Sequence, residues 1–477
     1  MRALESQKFP SFRSFRRSKK SKGSIDVLQI HKVDGLSDPT DIHRQAPISL
    51  SKTAMLETPI VHVQSIVPAA LAEFQALDLA SELVLLDINS LLIAKIPEAM
   101  YSGYAYVEWY VSNAKQSAAY FQHSLGFKPV AYKGLETGSR DVCSHVVRNG
   151  DAIFVFTSAL RSSAPEGSED KETVDAIHSH ITKHGDGVKD VAYYVNDAQT
   201  LFTISTEAGA RVIEPPHTVQ DEYGSAVIAR ISVFGDTVHS LVQLQDYAGP
   251  FLPGYKPPKA QQATIFDDLS PIELIRIDHC VQNQGWDKMV ESCSKYSRML
   301  GFHKFWLVDE KDVSTEFSAL KSIVMASPDE VIKMPVNEPA VGKCKSQIEE
   351  FIEFYDGPGI QHVAILTDDI IATVGAMKLR GCEFISVPDA YFDNLRERLA
   401  TSSTEILESM DELQRLGVLV DFDENGYLLQ LFTQPLSDRP TLFLEIIQRH
   451  NHNGFGAGNF KALFETIEQE QRKRGTL

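Results

Sequence analysis

A chain of 477 residues, 43% hydrophobic and 23% charged, is long enough for two or three domains with ordinary cores. Its formal net charge of -18 argues against nucleic acid or an anionic membrane surface as a partner. The five cysteines show neither C-x-x-C nor paired spacing, which excludes a disulfide frame and a zinc-ribbon site and fits reduced thiols in a cytoplasmic protein.

The chain begins "MRALESQKFPSFRSFRRSKKSKGS", rich in Arg, Lys and Ser. Mitochondrial presequences share that composition with disordered tails, and Glu5 and "RRSKKSK" fit the tail. No secretory apolar region follows the first methionine. The most apolar early stretch, "LASELVLLDINSLLIAKI", is interrupted by Glu82 and Asp87, both costly in a bilayer. A buried or amphipathic helix is expected there, not a membrane span. Residues 1–100 are read as a partly disordered N-terminal extension.

Beyond it the sequence repeats itself. "YVEWYVSNAKQSAAYFQHSLGFKPV" from Tyr106 resembles "RIDHCVQNQGWDKMVESCSKYSRMLGFHKFW" from Arg276. Each gives a strand, an Asn, an amphipathic helix, and Leu-Gly-Phe entering another strand. "GDGVKDVAYYVNDAQTLFTISTEAGARVIEPP" likewise answers "GPGIQHVAILTDDIIATVGAMKLRGCEFISVP", and "GDTVHSLVQLQ" pairs with "RPTLFLEIIQR". The Pro/Gly-rich "GPFLPGYKPPKAQQ" separates the copies. The expectation is an α+β fold of tandem βαβββ modules in two duplicated halves, 101–260 and 270–477, each curling into an open barrel sheet.

The duplication serves as an internal control. At three matched strand positions the second half carries His279, His362 and Glu445, where the first is expected to carry Trp109, Asp190 and Leu241. A packing role would favour similar residues in both copies. The intervals between the three are equal and longer than a module, so only the fold could bring them together. Two imidazoles and one carboxylate leave open positions on a metal, as in the facial triad of non-haem Fe(II) oxygenases. A structural zinc site would close itself with four ligands. The second half is therefore expected to be catalytic and the first metal-free. His450 and His452 in "RHNHNG" could form an H-x-H pair, but their turn-rich setting reads as solvent-facing. No G-x-S-x-G elbow or Walker loop is present.

From about Gly103 to the C-terminus the chain resembles the 4-hydroxyphenylpyruvate dioxygenase family of the vicinal oxygen chelate (glyoxalase-like) superfamily. The likeness is densest in "GLETGSR", "PGYKPP", "IDHCVQNQ", "SIVMASPDEVIKMPVNEPAVGKCKSQIEEF" and "GYLLQLFTQPLSDRPTLFLEIIQRHNHNGFGAGNF". The resemblance implies one Fe(II) per chain on His279, His362 and Glu445. The substrate 4-hydroxyphenylpyruvate would chelate it through its own 2-oxo acid, with O2 as co-substrate. Oxidative decarboxylation, ring hydroxylation and side-chain migration would then give homogentisate.

The same resemblance places Ser322, Pro335, Asn337, Gln347, Gln361 and Gln430 around the substrate, with the four amides in catalytic roles. Phe432, Phe443, Phe455, Phe460 and Phe464 would form its aromatic wall. Phe460 and Phe464 would share one face of a C-terminal lid helix, with "NGFGAGNF" as its hinge. A homodimer is the implied assembly. Three rival readings remain: a hydroxymandelate synthase, disfavoured by Pro335 and Asn337, a non-catalytic ligand-binding relative, and an extradiol dioxygenase.

Overall fold

Strand β1 (Tyr101–Tyr110) opens an eight-stranded sheet with β2 (Lys128–Lys133), β3 (Val142–Asn149), β4 (Ala152–Ala159), β5 (Gly187–Val195), β6 (Arg211–Asp221), β7 (Gly224–Ser232) and β8 (His239–Gln245). A second sheet holds β9 (Ile277–Asn283), β10 (His303–Leu307), β11 (Ala319–Ala326), β12 (Lys333–Ala340), β13 (Gly359–Leu366), β14 (Leu419–Phe422), β15 (Tyr427–Phe432) and β16 (Phe443–His450). The spatial orders, β2-β3-β4-β1-β5-β8-β7-β6 and β10-β11-β12-β9-β13-β16-β15-β14, match strand for strand, and both sheets curl into half-barrels. This is the α+β duplication expected from the repeats. The structure, a computed structural model, describes residues 96–97, 99–258, 265–307 and 319–477. The basic first segment, and the apolar stretch expected as a helix save for Ile96, lie outside the described residues.

The Leu-Gly-Phe repeat has a local cause. Helices α1 (Ala114–Leu125) and α4 (Met289–Leu300) end on Gly126 and Gly301, whose φ of 71° and 70° suits glycine. Phe127 and Phe302 then drop into the core, both almost fully buried. One hydrophobic cluster continues through both halves, from Val107 and Phe154 to Val363 and Leu444.

The strand after "GPG" is β13, and all eight of its residues are buried. Shortly after it ends at Leu366 comes Asp369, whose side chain accepts from Ala372 N and caps α6 (Ile370–Leu379). The Asn of the first copy, Asn113, caps α1 in the same way. Asn283 does not cap α4. It ends β9, and Glu338 accepts from the backbone amides of Lys288 and Met289 instead.

That difference shifts the correspondence between the halves. In the second sheet His279 faces Ala364 and Val281 faces His362, with register slips at Asp278 and Gln361. In the first, Tyr106 faces Ala192 and Glu108 faces Asp190, with slips at Ala105 and Lys189. Tyr106, not Trp109, is therefore the counterpart of His279. Asp190 does correspond to His362, as expected. Parallel pairing sets Ala364 beside Glu445, and Asp190 beside Val238, so Ser240 and not Leu241 stands at the Glu445 position. Matching Asn113 to Asn283 misplaced the first residue by three positions, because the extra loop before α4 absorbs them. The Leu241 error is a single residue, enough to exchange the two faces of a strand.

Candidate metal centre

His279, His362 and Glu445 sit on three adjacent strands, β9, β13 and β16. Glu445 Oε2 lies 3.3 Å from Nε2 of each histidine. All three residues are buried, and their possible ligand atoms lie within 4.8 Å of one another. Each ring's other nitrogen is already engaged by the preceding residue. His279 Nδ1 lies 2.7 Å from Asp278 Oδ1, and His362 Nδ1 lies 3.0 Å from Gln361 Oε1. Alternation would send residues i−1 and i to opposite faces of a strand. Here Asp278 and Gln361 are the residues at which the register slips, and the bulges turn them beside the rings. Both histidines are thus oriented with Nε2 inward, the arrangement that a bound metal requires.

Burial pushes the Glu445 carboxyl up, but the charge and hydrogen bonds of His279, then His362, outweigh it and hold the group at about 2. Burial works against charge on His279 too, yet Glu445 and Asp278 raise it overall. His362 is lowered, chiefly by burial, with Glu445 only partly opposing. The carboxylate is therefore ionised and one imidazole stays neutral. Among the described residues, this is the group of His, Cys, Asp and Glu side chains able to hold a metal ion.

Above the three lies a pocket with about 560 Å³ of empty space, its open mouth included. The Phe443 ring stacks on His362 at 4.9 Å and 19°, and Phe432 meets it edge-on at 5.8 Å. Phe455 meets His279 edge-on at 5.0 Å. Ser322, Pro335, Asn337, Gln347 and Gln361, the residues that the resemblance pointed to, line the same pocket. So do Val281, Trp306, Leu320 and Val324, which the resemblance did not single out. These are apolar strand residues indistinguishable in sequence from core.

Gln430 does not line this pocket. It lies on β15 two residues before Phe432, buried, with Nε2 unpartnered and the amide pressed against Gly456. Phe464 is also set back, packing on Leu320 and Ile348 and so anchoring α9 (Phe460–Arg474). The Phe460 side chain lies outside the described residues. The far end of α9 is tied down by Arg474, whose Nη2 donates to both oxygens of Glu350 at 2.8 and 3.1 Å. Glu350 belongs to α5 (Gln347–Tyr355), the helix that also presents Gln347.

The donor set fits a divalent metal that keeps open positions. It has two imidazole nitrogens and one carboxylate, oriented from behind, with no fourth protein ligand in the group. Among the described residues, the first half offers nothing comparable. Ser240 N donates to Asp190 Oδ1 at 2.9 Å, its hydroxyl also bonds Asp190, and Arg230 Nε donates to Ser240 Oγ at 3.1 Å. Burial pushes the Asp190 carboxyl up to about 7. Tyr106, Asp190 and Ser240 thus form a filled polar core beside an arginine.

Two expectations need correction besides the Trp109 and Leu241 positions. His452 is 6% exposed and buried, its Nδ1 accepting from Gly454 N, and is not solvent-facing. His450 is half-buried, stacked on Tyr427 and 2.9 Å from Glu408. Asp278 and Arg449 also escaped the sequence reading. Arg449 donates to Asp278 through Nε and Nη2 at 2.9 and 2.8 Å.

Comparison with known proteins agrees with this geometry. Residues 276–431, which span His279 and His362, match the Glyoxalase/Bleomycin resistance protein/Dioxygenase superfamily. A 4-hydroxyphenylpyruvate dioxygenase of Yarrowia lipolytica is 57% identical over 79% of this chain and 94% of its own length. One from Aspergillus fumigatus is 53% identical over 80% and 95%. Among solved structures, a triple mutant of 4-hydroxymandelate synthase from Streptomyces coelicolor superposes with a TM-score of 0.65 at 30% identity, over 78% of this chain and 99% of its own. With relatives this similar over nearly their full length, the chain belongs to the 4-hydroxyphenylpyruvate dioxygenase family.

Proposed function

We propose that this oxidoreductase converts 4-hydroxyphenylpyruvate and O2 to homogentisate and CO2 with one Fe(II) per chain, held by His279, His362 and Glu445. The observation that carries the reading is the buried His-His-Glu group on three adjacent strands, opening into an aromatic pocket. Bound there, Fe(II) supplies the O2 activation that no protein side chain provides.

The side chains bind, orient and exclude water. Phe443 and Phe432 flank the iron ligand His362, and with Phe455 they offer the substrate ring apolar faces. Asn337, Gln347 and Ser322 supply a few neutral hydrogen-bonding groups in a largely apolar box, a composition suited to a phenol and a 2-oxo acid. Gln361 accepts at His362 Nδ1 while lining the pocket, so it orients ligand and substrate together. Gln430 keeps a donor unpartnered beside Gly456, which a shift of that segment would free for the substrate. Helix α9, with Phe460 and Phe464 in its first turns, is the lid that keeps solvent from the reacting centre.

Residues 101–260 form the metal-free domain and 270–477 the catalytic one, preceded by an extension of residues 1–100. The assembly is a homodimer through the first half, a reading supported by the exposed Val212 and Ile213 on the sheet-edge strand β6. The proposed location is cytoplasmic; among the described residues, no helix is long and apolar enough to cross a membrane.

The test is to incubate Fe(II)-loaded protein with 4-hydroxyphenylpyruvate, follow O2 uptake and identify the product by NMR. A 2,5-dihydroxylated ring supports the proposal. A para-substituted ring with a benzylic hydroxyl would make the enzyme a hydroxymandelate synthase, the activity named for the solved neighbour.

A further inference from the structure

Arg449 lies on β16 four residues beyond Glu445, outside the pocket, yet its side chain reaches two parts of the site at once. Nε and Nη2 hold the two oxygens of Asp278 in a fork, at 2.9 and 2.8 Å. Nη1 donates to the carbonyls of His452 and Gly454 at 3.0 and 2.6 Å, in the turn that leads into the lid. The guanidinium also sits 5.4 Å from the Phe455 ring centroid, and Phe455 lines the pocket against His279. Asp278 in turn accepts from His279 Nδ1. One planar cation therefore touches the residue that orients a metal ligand, the backbone of the hinge and an aromatic of the pocket wall.

The first half provides the control. Four residues beyond Ser240 stands Leu244, and at the bulge matching Asp278 stands Ala105. The half without the ligands lacks both members of the pair.

We propose that Arg449 is a positioning residue that couples metal capture at His279 to closure of the lid hinge. The inference rests on His279 being a metal ligand. A metal on Nε2 makes the Nδ1–H a stronger donor to Asp278 and fixes that carboxylate. Fixed, the carboxylate holds the guanidinium, and the guanidinium holds the carbonyls of His452 and Gly454. Linkage makes the effect reciprocal, so ordering the hinge tightens the grip on the metal. Arginine is needed because a lysine cannot grip a carboxylate bidentately and reach two carbonyls as well.

The experiment uses the full chain and two readouts, Fe(II) affinity by chelator competition and hydrogen exchange across residues 453–465 with and without Fe(II). In the unaltered protein, iron is expected to slow exchange in that segment. Arg449→Ala is expected to weaken iron binding about 10- to 100-fold and to abolish the iron-dependent slowing, with Arg449→Lys intermediate. If Arg449→Ala does not fold, Asp278→Asn carries the same test, since it keeps an acceptor for His279 but loses the charge that grips Arg449. Glu350→Gln, at the other end of the lid helix, is expected to speed exchange there and leave iron affinity unchanged. Unchanged iron affinity in Arg449→Ala, or faster exchange by the same factor with and without iron, would overturn the proposal and reduce Arg449 to a structural brace. His362→Ala separates the two claims. If it keeps its iron, the metal assignment itself fails; if it loses iron while Arg449→Ala behaves as the unaltered protein, only the coupling fails.

Discussion

Gln361 Oε1 lies 3.0 Å from His362 Nδ1, although the two residues are adjacent in one strand. The bulge that permits this puts a pocket amide directly behind a proposed metal ligand. Gln361→Ala should therefore weaken iron binding about 10- to 100-fold and raise the substrate KM as well. Chelator competition and steady-state kinetics check the two effects. Loss of one without the other would show that Gln361 serves only a single partner.

Gln430 should behave differently. Its amide packs at Gly456 with no hydrogen bond from Nε2, and a Cβ on Gly456 would come within 2.2 Å of Nε2. Gln430→Ala is expected to weaken substrate binding about tenfold with iron retained, the scale of one buried hydrogen bond. Gly456→Ala, which drives the amide out of place, should do the same. Iron loss in the Gln430 variant would mean that the residue supports the metal site.

Asp190 offers a pH test in the first half. Its carboxyl stands at about 7 in the folded protein, raised by burial, against an ordinary value near 3.8. Folding therefore favours the protonated form. That contribution is fully present below about pH 4 and is lost as pH rises through about 7, worth on the order of a few kcal/mol at about 1.4 kcal/mol per unit. Asp190→Asn should flatten this part of the stability profile and leave iron content unchanged. Urea unfolding at pH 5 and pH 8 reads the slope, and equal slopes in variant and parent would refute the assignment.

The three proposed ligands were legible because the duplication compares like positions, and a strand with an imidazole in one copy but not in the other invites an explanation. The pocket aromatics and amides were legible only through family resemblance. Asp278, Arg449 and the orienting role of Gln361 were hidden for a physical reason. Period-two alternation places a residue before a ligand on the far face, and a bulge, which has no fixed sequence signal, reverses it. The burial of His452 was hidden similarly, since turn-forming composition does not reveal what a turn folds against. The matching of Trp109 and Leu241 failed where loop length and single-residue register decide the outcome.

Iron content of the Glu445→Ala and His362→Ala proteins, measured beside the parent after Fe(II) loading and removal of free metal, bears most directly on the site. Each variant removes one buried member of the three-residue group proposed to hold the metal. About one iron per chain in the parent and close to none in either variant, with turnover lost in parallel, is the expected result. Stoichiometric iron and unimpaired homogentisate formation in either variant would contradict it and place the metal elsewhere.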